Sequence, residues 1–426
     1  MSEATTSPRR SKGARMFAVA GLLTLVSGVA LVATKAAAHR DWPALQPALA
    51  IPAPTIEGSS AAWTAFEQAI AALPPQRGRI GPITEGADTA ALAAKLVAYD
   101  EAHRRFDAAL ATGATPAIPP RTPDNTSRNP SMALLELARS RSFRASLEVT
   151  NGHAAESFTT GLAIAELGAR LAQRSSDWVD VAAAIAIEAQ GYRAMERALS
   201  ANTVTTEVLA SAASRLDALL ALPSALARAN ASECVSRESL FGGFRGKSAD
   251  ELLSTTTLER PSESRPGRSI IPASWLFDAD ATIAAVRHEC RRIDEALRRP
   301  RGERTIPAPV RYTGESRMTV GQWLDNRVGR VLIDLALPSI TNFTDRDDDG
   351  YTSRYAARVA VAIAVFRAQN QRLPASLDEA RPPAAPQPLG RNRGVTYDAA
   401  ARALTVRLSP QAPHSSQFVL GWRFAQ

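Results

Sequence analysis

Hydrophobic positions along the chain fall into three regimes. The first is a run from Met16 to Thr34, MFAVAGLLTLVSGVALVAT, without a charged residue. Nineteen helical residues cover roughly 28 Å, close to the thickness of a bilayer's hydrocarbon core. The second regime, from about residue 59 to 338, repeats apolar side chains every three to four positions, the signature of amphipathic helices. Trp63, Phe66, Ile70 and Leu73 form the first such stripe, with Ser59-Ser60 placed to cap it and Pro74-Pro75 to stop it. A second helix is expected over 88–111, with Leu92, Leu96, Tyr99, His103 and Phe106 on one face.

Regular helical stretches then follow at 131–149, 153–174, 177–200 and 205–222, separated by breaks such as Asn151-Gly152 and Ser175-Ser176. Links this short make neighbouring helices antiparallel. The stretch predicts a stack of helical hairpins, irregular but like a tetratricopeptide array; no 34-residue period runs through it. Further helices are expected near 225–240, 278–298 and 319–337.

The third regime is the last ninety residues. An apolar helix from about Ser353 to Asn370 precedes a period-two pattern: Leu404, Val406 and Leu408 alternate with polar neighbours, as do Phe418, Leu420, Trp422 and Phe424 with theirs. With Val395-Thr396-Tyr397 these predict a small antiparallel sheet on the helix. The fold class is therefore mainly α, with a C-terminal α+β subdomain. The expected organisation is a basic tail (1–15), a membrane anchor (16–34), a Pro-rich linker (35–58), a helical domain (59–338), and a terminal helix with strands (339–426).

Charge orients this plan. Arg9, Arg10, Lys12 and Arg15 precede the apolar run, so the N-terminus stays in the cytoplasm and the bulk lies outside. The expected location is the inner membrane, single-pass. Ala36-Ala37-Ala38 leaves a cleaved signal peptide as the alternative; the run is longer than a usual signal core, which favours a retained anchor. The net charge of +8 is carried almost wholly by arginine, interleaved with acids rather than gathered in a patch, and aromatics are 6%. Neither feature builds a nucleic-acid surface. The densest basic run, Arg298 to Arg304, reads as a solvated helix end, its functional alternative being contact with anionic lipid or polymer.

Cys234 and Cys290 lie downstream of the anchor, in helical pattern, where an oxidising space allows a disulfide. The chain has no CxxC, G-x-S-x-G or H-E-x-x-H, and its five histidines are dispersed. Gly246-Lys247-Ser248 echoes the end of a phosphate loop but lacks its first glycine and a preceding strand. Asp177/Asp180 and Asp278/Asp280 read as helix starts. The best metal candidate is Asp345-Arg346-Asp347-Asp348-Asp349-Gly350: Asp345, Asp347 and Asp349 take positions 1, 3 and 5 of a calcium loop, with Gly at 6. Position 12 is Ala356, where the bidentate Glu belongs, so half the shell is missing. The competing reading is a solvated acidic loop ahead of a helix.

Arg354–Gln369, Leu373–Leu377 and the strands after Gly394 resemble a segment of uncharacterised single-span bacterial envelope proteins, and are similar to the globular head of type II secretion pseudopilins. The likeness covers under a fifth of the chain and implies a fold for the tail. The apolar run lacks the glutamate that pilin processing and assembly use, so it implies no pilin-like assembly. Two functions follow as expectations. The first is a non-catalytic envelope scaffold that binds a protein or cell-wall partner, with no cofactor beyond a weak calcium site. The second is an extracytoplasmic hydrolase using carboxylates that the sequence does not single out.

Overall fold

A computed structural model describes residues 27, 29–40, 42–75, 89–118, 129–248, 251, 273–308, 310–312, 319–320, 322, 325–336, 341–409 and 421–423. The basic tail and most of the apolar run lie outside the described residues. Within them the chain is mainly helical with a small C-terminal sheet. No described helix is long and apolar enough to cross a membrane.

Contacts divide the chain into two compact units, each assembled from separated segments. Unit 1 takes described residues from Met1–Leu49, Cys234–Arg292 and Ala308–Ser339; unit 2 takes those from Ala50–Glu233, Ile293–Pro307 and Ile340–Gln426. The described residues of the tail, from Ile340 on, belong to the same unit as the hairpins.

Unit 2 begins with α2 (Ser60–Ala71), capped by Ser59 Oγ accepting from the Ala62 amide at 3.1 Å. The single helix expected over 88–111 is two, α3 (Thr89–Val97) and α4 (Asp100–Ala111). Between them the backbone tightens into i→i+3 turns, Ala98 N to Lys95 O and Tyr99 N to Leu96 O. The turn buries Tyr99, whose hydroxyl donates to Glu136 at 3.1 Å. Then come α5 (Pro130–Thr150), α6 (Ala154–Arg174), α7 (Trp178–Ser200) and α8 (Thr206–Leu220). Three of the four starts are fixed by side-chain caps: Asn129 followed by Pro at the first helical position, Asp177 and Thr205. The expected hairpin helices thus occur within a residue or two of the sequence boundaries.

Helices α6 and α7 pack antiparallel with backbones in contact, because glycines face the partner helix. A Cβ on Gly168 would lie 2.3 Å from the Glu188 amide nitrogen, and one on Gly191 2.4 Å from that of Ala165. Two cores result. Phe66, Phe106, Leu134, Leu137, Ile164 and Ile187 belong to one; Phe158, Tyr192, Leu216, Val359, Ile363 and Leu404 belong to the other. The second core is closed by a long helix, Thr341–Asn370, and by strands β1 (Gly394–Asp398), β2 (Ala403–Arg407) and β3 (Gly421–Arg423), antiparallel in order β1-β2-β3. Leu404 and Val406 point inward while Thr405 and Arg407 are exposed, as the period-two pattern predicts. Phe418, Leu420 and Phe424 lie outside the described residues.

Unit 1 holds α1 (residues 29–39), the C-terminal part of α9 (Leu226–Gly242), the short α10 (Ala273–Leu276), most of α11 (Ala279–Leu297) and α12 (Arg327–Ala336). Its core joins Phe241, Leu276, Val286, Val328 and Ile333. The Cys234–Cys290 disulfide forms inside that core, with Cα atoms 6.3 Å apart. The long helix of unit 2 is labelled α13 and the turn Leu377–Ala380 is α14.

The Pro-rich segment 35–58 is not a free spacer. Residues 35–39 are helical, and arginines hold the carbonyls that follow. In unit 1, Arg287 and Arg291 donate to the carbonyls of Gln46 and Pro47; in unit 2, Arg228 and Arg174 donate to those of Pro52 and Ile56. Proline keeps such a strand extended and leaves its carbonyls without intrasegment donors, which suits arginine.

Gly168→Val forces α6 and α7 apart and is expected to cost about 2 kcal/mol or more. Gly242→Ala, where a Cβ meets nothing within 4 Å, is expected to be neutral or slightly stabilising. Urea unfolding of the two variants checks this; equal losses would contradict the backbone contact.

Candidate functional site

The acidic run 345–349 is helical. It forms the second and third turns of α13 (Thr341–Asn370), so the calcium-loop backbone expected for Asp345, Asp347 and Asp349 is not formed. Local propensity opposes a helix here, since like charges three and four apart repel and Gly350 is a weak helix former. The compensation comes from arginines on two other segments. Arg301, in a 3₁₀ turn at Arg301–Glu303, donates through Nη1 to Asp347 and, at 3.2 Å, to Asp348. Arg304 Nη1 lies 3.0 Å from Asp347 Oδ2 and 3.5 Å from Asp348 Oδ1. Arg393 donates Nε to Asp349 at 2.7 Å and Nη2 to Asp345 at 2.9 Å.

Other groups complete the shell. Ser224 Oγ donates to Asp347 at 2.9 Å, and the Ser409 amide donates to Asp349 at 3.0 Å. The Arg301 guanidinium stacks 4.6 Å from the Tyr351 ring centre, and a Cβ on Gly390 would collide with the Asp348 carboxylate. The side chains of Arg301, Arg304, Asp347 and Asp348 are all at least nine-tenths buried. The basic run 298–304 is therefore not wholly solvated: two of its arginines are interior counterions for the acidic run.

Four carboxylates face three guanidinium groups, leaving one negative charge in excess. The titration of the site reflects that imbalance. Burial opposes ionisation of Asp347, but Arg301 and Arg304 outweigh it and hold its carboxyl below the ordinary range. Burial and the adjacent Asp347 charge push Asp348 up to about 6. Near neutral pH the cluster is a closed ionic knot whose oxygens already accept from arginine, serine and backbone donors. Among the described residues no group of three or more His, Cys, Asp or Glu side chains is placed to hold a metal ion.

One helical turn on, Arg354 is buried and grips Glu188 of α7 bidentately, at 2.8 and 3.0 Å, and donates to the Leu219 carbonyl at 2.7 Å. Tyr192 donates to the same Glu188 at 2.6 Å. Burial works against the Arg354 charge, yet Glu188 raises its pKa above the usual arginine value; burial and Glu188 together raise that of Tyr192.

Unit 1 contains a buried carboxylate, Asp325, that sequence reasoning missed. Asp325 accepts from His39 Nδ1 at 3.1 Å, Trp42 Nε1 at 2.7 Å and Arg330 Nη2 at 3.1 Å. Arg330 also donates to the carbonyls of Ala38 and Tyr312, and its guanidinium lies 4.5 Å from the Trp42 ring, which stacks on Tyr312 at 5.3 Å. The signal available in the sequence was an Asp and an Arg five apart, too common to single out.

The remaining candidates have structural roles. His103 is buried against Ser140 Oγ at 2.8 Å, and burial with Arg141 and Arg144 lowers its pKa to about 3, so it stays neutral. Asp177 and Asp278 cap helices, accepting from the Asp180 and Ala281 amides. His153 pairs with Glu156 on an exposed face. Ser248, at the end of the phosphate-loop echo, bonds Glu251. A depression lined by Leu199, Val204, Leu209, Ala364 and Arg367 has a volume of about 20 Å³, room for about one water, and no carboxylate lines it. The chain matches no family model, no curated protein and no solved structure.

Asp347→Ala removes the carboxylate that Arg301 and Arg304 share, leaving them Asp348 alone, and is expected to cost about 2–3 kcal/mol in urea unfolding. Asp217→Ala breaks the Arg358 pair whose carboxylate is 47% exposed and is expected to cost under about 1 kcal/mol. Similar losses in both variants would contradict an interior role for the cluster.

Asp348 sets a pH dependence. Its folded-state proton persists to about pH 6, whereas a free aspartate releases its proton near pH ~4. Its contribution to stability is present below about pH 4 and is lost as pH rises to about 6. The Asp348→Asn variant keeps the neutral form throughout, so its deficit against the wild type is expected to shrink across that window. Parallel stability curves from pH 4 to 7 would contradict the raised pKa.

Proposed function

We propose that this chain is a single-pass scaffold of a bacterial inner membrane, with its N-terminus in the cytoplasm and its helical hairpins presented outside to a protein or cell-wall partner. The observation that carries this reading is helix α1 (residues 29–39). Val29, Leu31 and Val32 stand exposed on it in direct continuation of the uncharged run from Met16. Apolar side chains left exposed on a helix stay out of water only if something covers them, and the length of the run matches lipid. Four cations ahead of the run set the orientation. The Cys234–Cys290 disulfide is in keeping with an oxidising compartment.

The partner-binding part rests on the antiparallel pairs α5 to α8 (Pro130–Leu220). Stacked hairpins of this kind, loosely like tetratricopeptide repeats, offer grooves to extended or helical ligands. The likeness of the tail to envelope proteins and pseudopilin heads points to the same compartment. A hydrolase acting through paired acids needs those acids open to substrate. Asp347 and Asp348, the adjacent buried pair, are covered by Arg301 and Arg304, which leaves the scaffold as the better-supported reading.

Alkaline phosphatase fused after Gln426 is expected to be active, and a green fluorescent protein fused at the same point dark; the reverse pattern would overturn the topology. Crosslinking in intact envelopes, followed by capture of the tagged chain, is expected to yield a discrete adduct with one envelope protein or with peptidoglycan. A chain recovered only as itself under conditions that crosslink a known envelope pair would overturn the scaffold role.

A further inference from the structure

Ala36-Ala37-Ala38 has the small residues at alternate positions that a membrane-bound signal peptidase reads before a scissile bond. The bond in question, Ala38–His39, lies about 6 Å beyond the end of the uncharged run if the helix continues, near enough to the bilayer surface for such an enzyme. Hydrolysis there would add water across the amide, leaving a carboxylate on Ala38 and a free amine on His39. A peptidase cleft takes its substrate extended, pairing with the backbone as an added strand does. A helical segment must unwind before it can be cut.

In this chain the segment is both helical and held. Residues 29–39 form one helix, and Ala38 is buried while Ala36 and Ala37 are exposed. The Ala38 carbonyl accepts from Arg330 Nη2 at 3.2 Å. On the other side of the bond, His39 Nδ1 and Trp42 Nε1 both bond to Asp325, and Lys35, before the bond, lies 4.0 Å from the same carboxylate. Asp325 and Arg330 are themselves paired and 2% exposed. Pulling the bond into an extended form therefore requires removing donors on both sides of it from one buried carboxylate and unstacking Trp42 from Tyr312. The contacts flank the bond closely, within four residues on either side.

We infer that Ala38–His39 is a latent signal-peptidase site closed by the Asp325–Arg330 clasp, so that folding of unit 1 keeps the membrane anchor on the chain. This rests on the topology proposed above, since a peptidase of that class meets only a segment that has entered the membrane. Cleavage of a protected bond tracks the population of the opened form. Loosening the clasp should raise the cleaved fraction, and a free-energy change of about 1.4 kcal/mol raises that population tenfold.

The test uses the full chain expressed with the phosphatase fused after Gln426, with the N-terminus determined by intact mass and terminal sequencing. The wild type is expected to retain the residues before His39. Asp325→Ala and, separately, Arg330→Met are expected to give roughly tenfold more chain beginning at His39. Adding Ala36→Leu to Asp325→Ala blocks the motif and is expected to abolish that product; a His39 terminus that survives the block reports general degradation and overturns the inference. Wild type beginning at His39 with an active fusion also overturns it while leaving the topology standing, and so does a clasp variant that remains uncleaved. An inactive fusion, by contrast, removes the topology on which the inference rests.

Discussion

A thirty-residue helix whose second and third turns read DRDDDG does not form on local preference. The Asp residues repel one another, Gly350 adds backbone entropy, and a carboxylate moved away from water without a partner is costly. The helix Thr341–Asn370 exists because Arg301, Arg304 and Arg393 surround its acidic turns. The rest of unit 2 leans on that helix. Its Ala356–Ile363 stretch completes the core shared with Phe158, Tyr192 and Leu216, its Arg354 crosses to Glu188, and the sheet packs Leu404 and Val406 onto the same core. An ionic knot of this kind stabilises little in net terms, because desolvation consumes most of the attraction. What it does is exclude alternatives: a rotation of the helix or a slip of the 301–304 turn strands a buried charge. The odd carboxylate shows in the titration: burial and the Asp347 charge push Asp348 up to about 6, whereas Arg301 and Arg304 hold Asp347 below the ordinary range.

Much of this fold is legible in the sequence, and the boundary of legibility has a physical cause. Helices α5 to α8 announce themselves through apolar period and through caps at Asn129, Asp177 and Thr205, all local signals. Leu404 and Val406 announce a half-buried strand in the same way. The acidic turns do not, because their stabilising partners lie some forty residues away in sequence, Arg301 before and Arg393 after. Read locally, DRDDDG followed by helix is a loop, and read as a motif it is half a calcium site. The trace left in the sequence was a pairing of extremes: the densest basic run and the densest acidic run are both present and of opposite sign. The segment 35–58 misleads for the same reason. Proline marks it as extended, but the arginines that hold its carbonyls, Arg174, Arg228, Arg287 and Arg291, come from 118 to 244 positions downstream. Gly161 and Gly168, seven apart and so on one face of α6, were the readable sign of a close helix pair.

The 345–349 cluster and Asp325 each hold segments of the chain together. In unit 2 the aspartates fix a helix; in unit 1 Asp325 fixes the chain just after the apolar run. Each spends its lone pairs on arginine, histidine, tryptophan, serine or backbone donors. A molecule whose charged interior is committed to rigidity suits the role of a stiff presenting surface, and the anchor proposed for residues 16–34 gives that surface a place.

The ionic knot is tested most directly by native-state hydrogen exchange along α13. If the arginines hold the acidic turns as part of the folded unit, the amides of residues 347–352 exchange only through global unfolding, with protection equal to that of Val359–Ile363 in the same helix. Exchange of those amides at the rate of a frayed helix end, orders of magnitude faster than Val359–Ile363, would contradict the account.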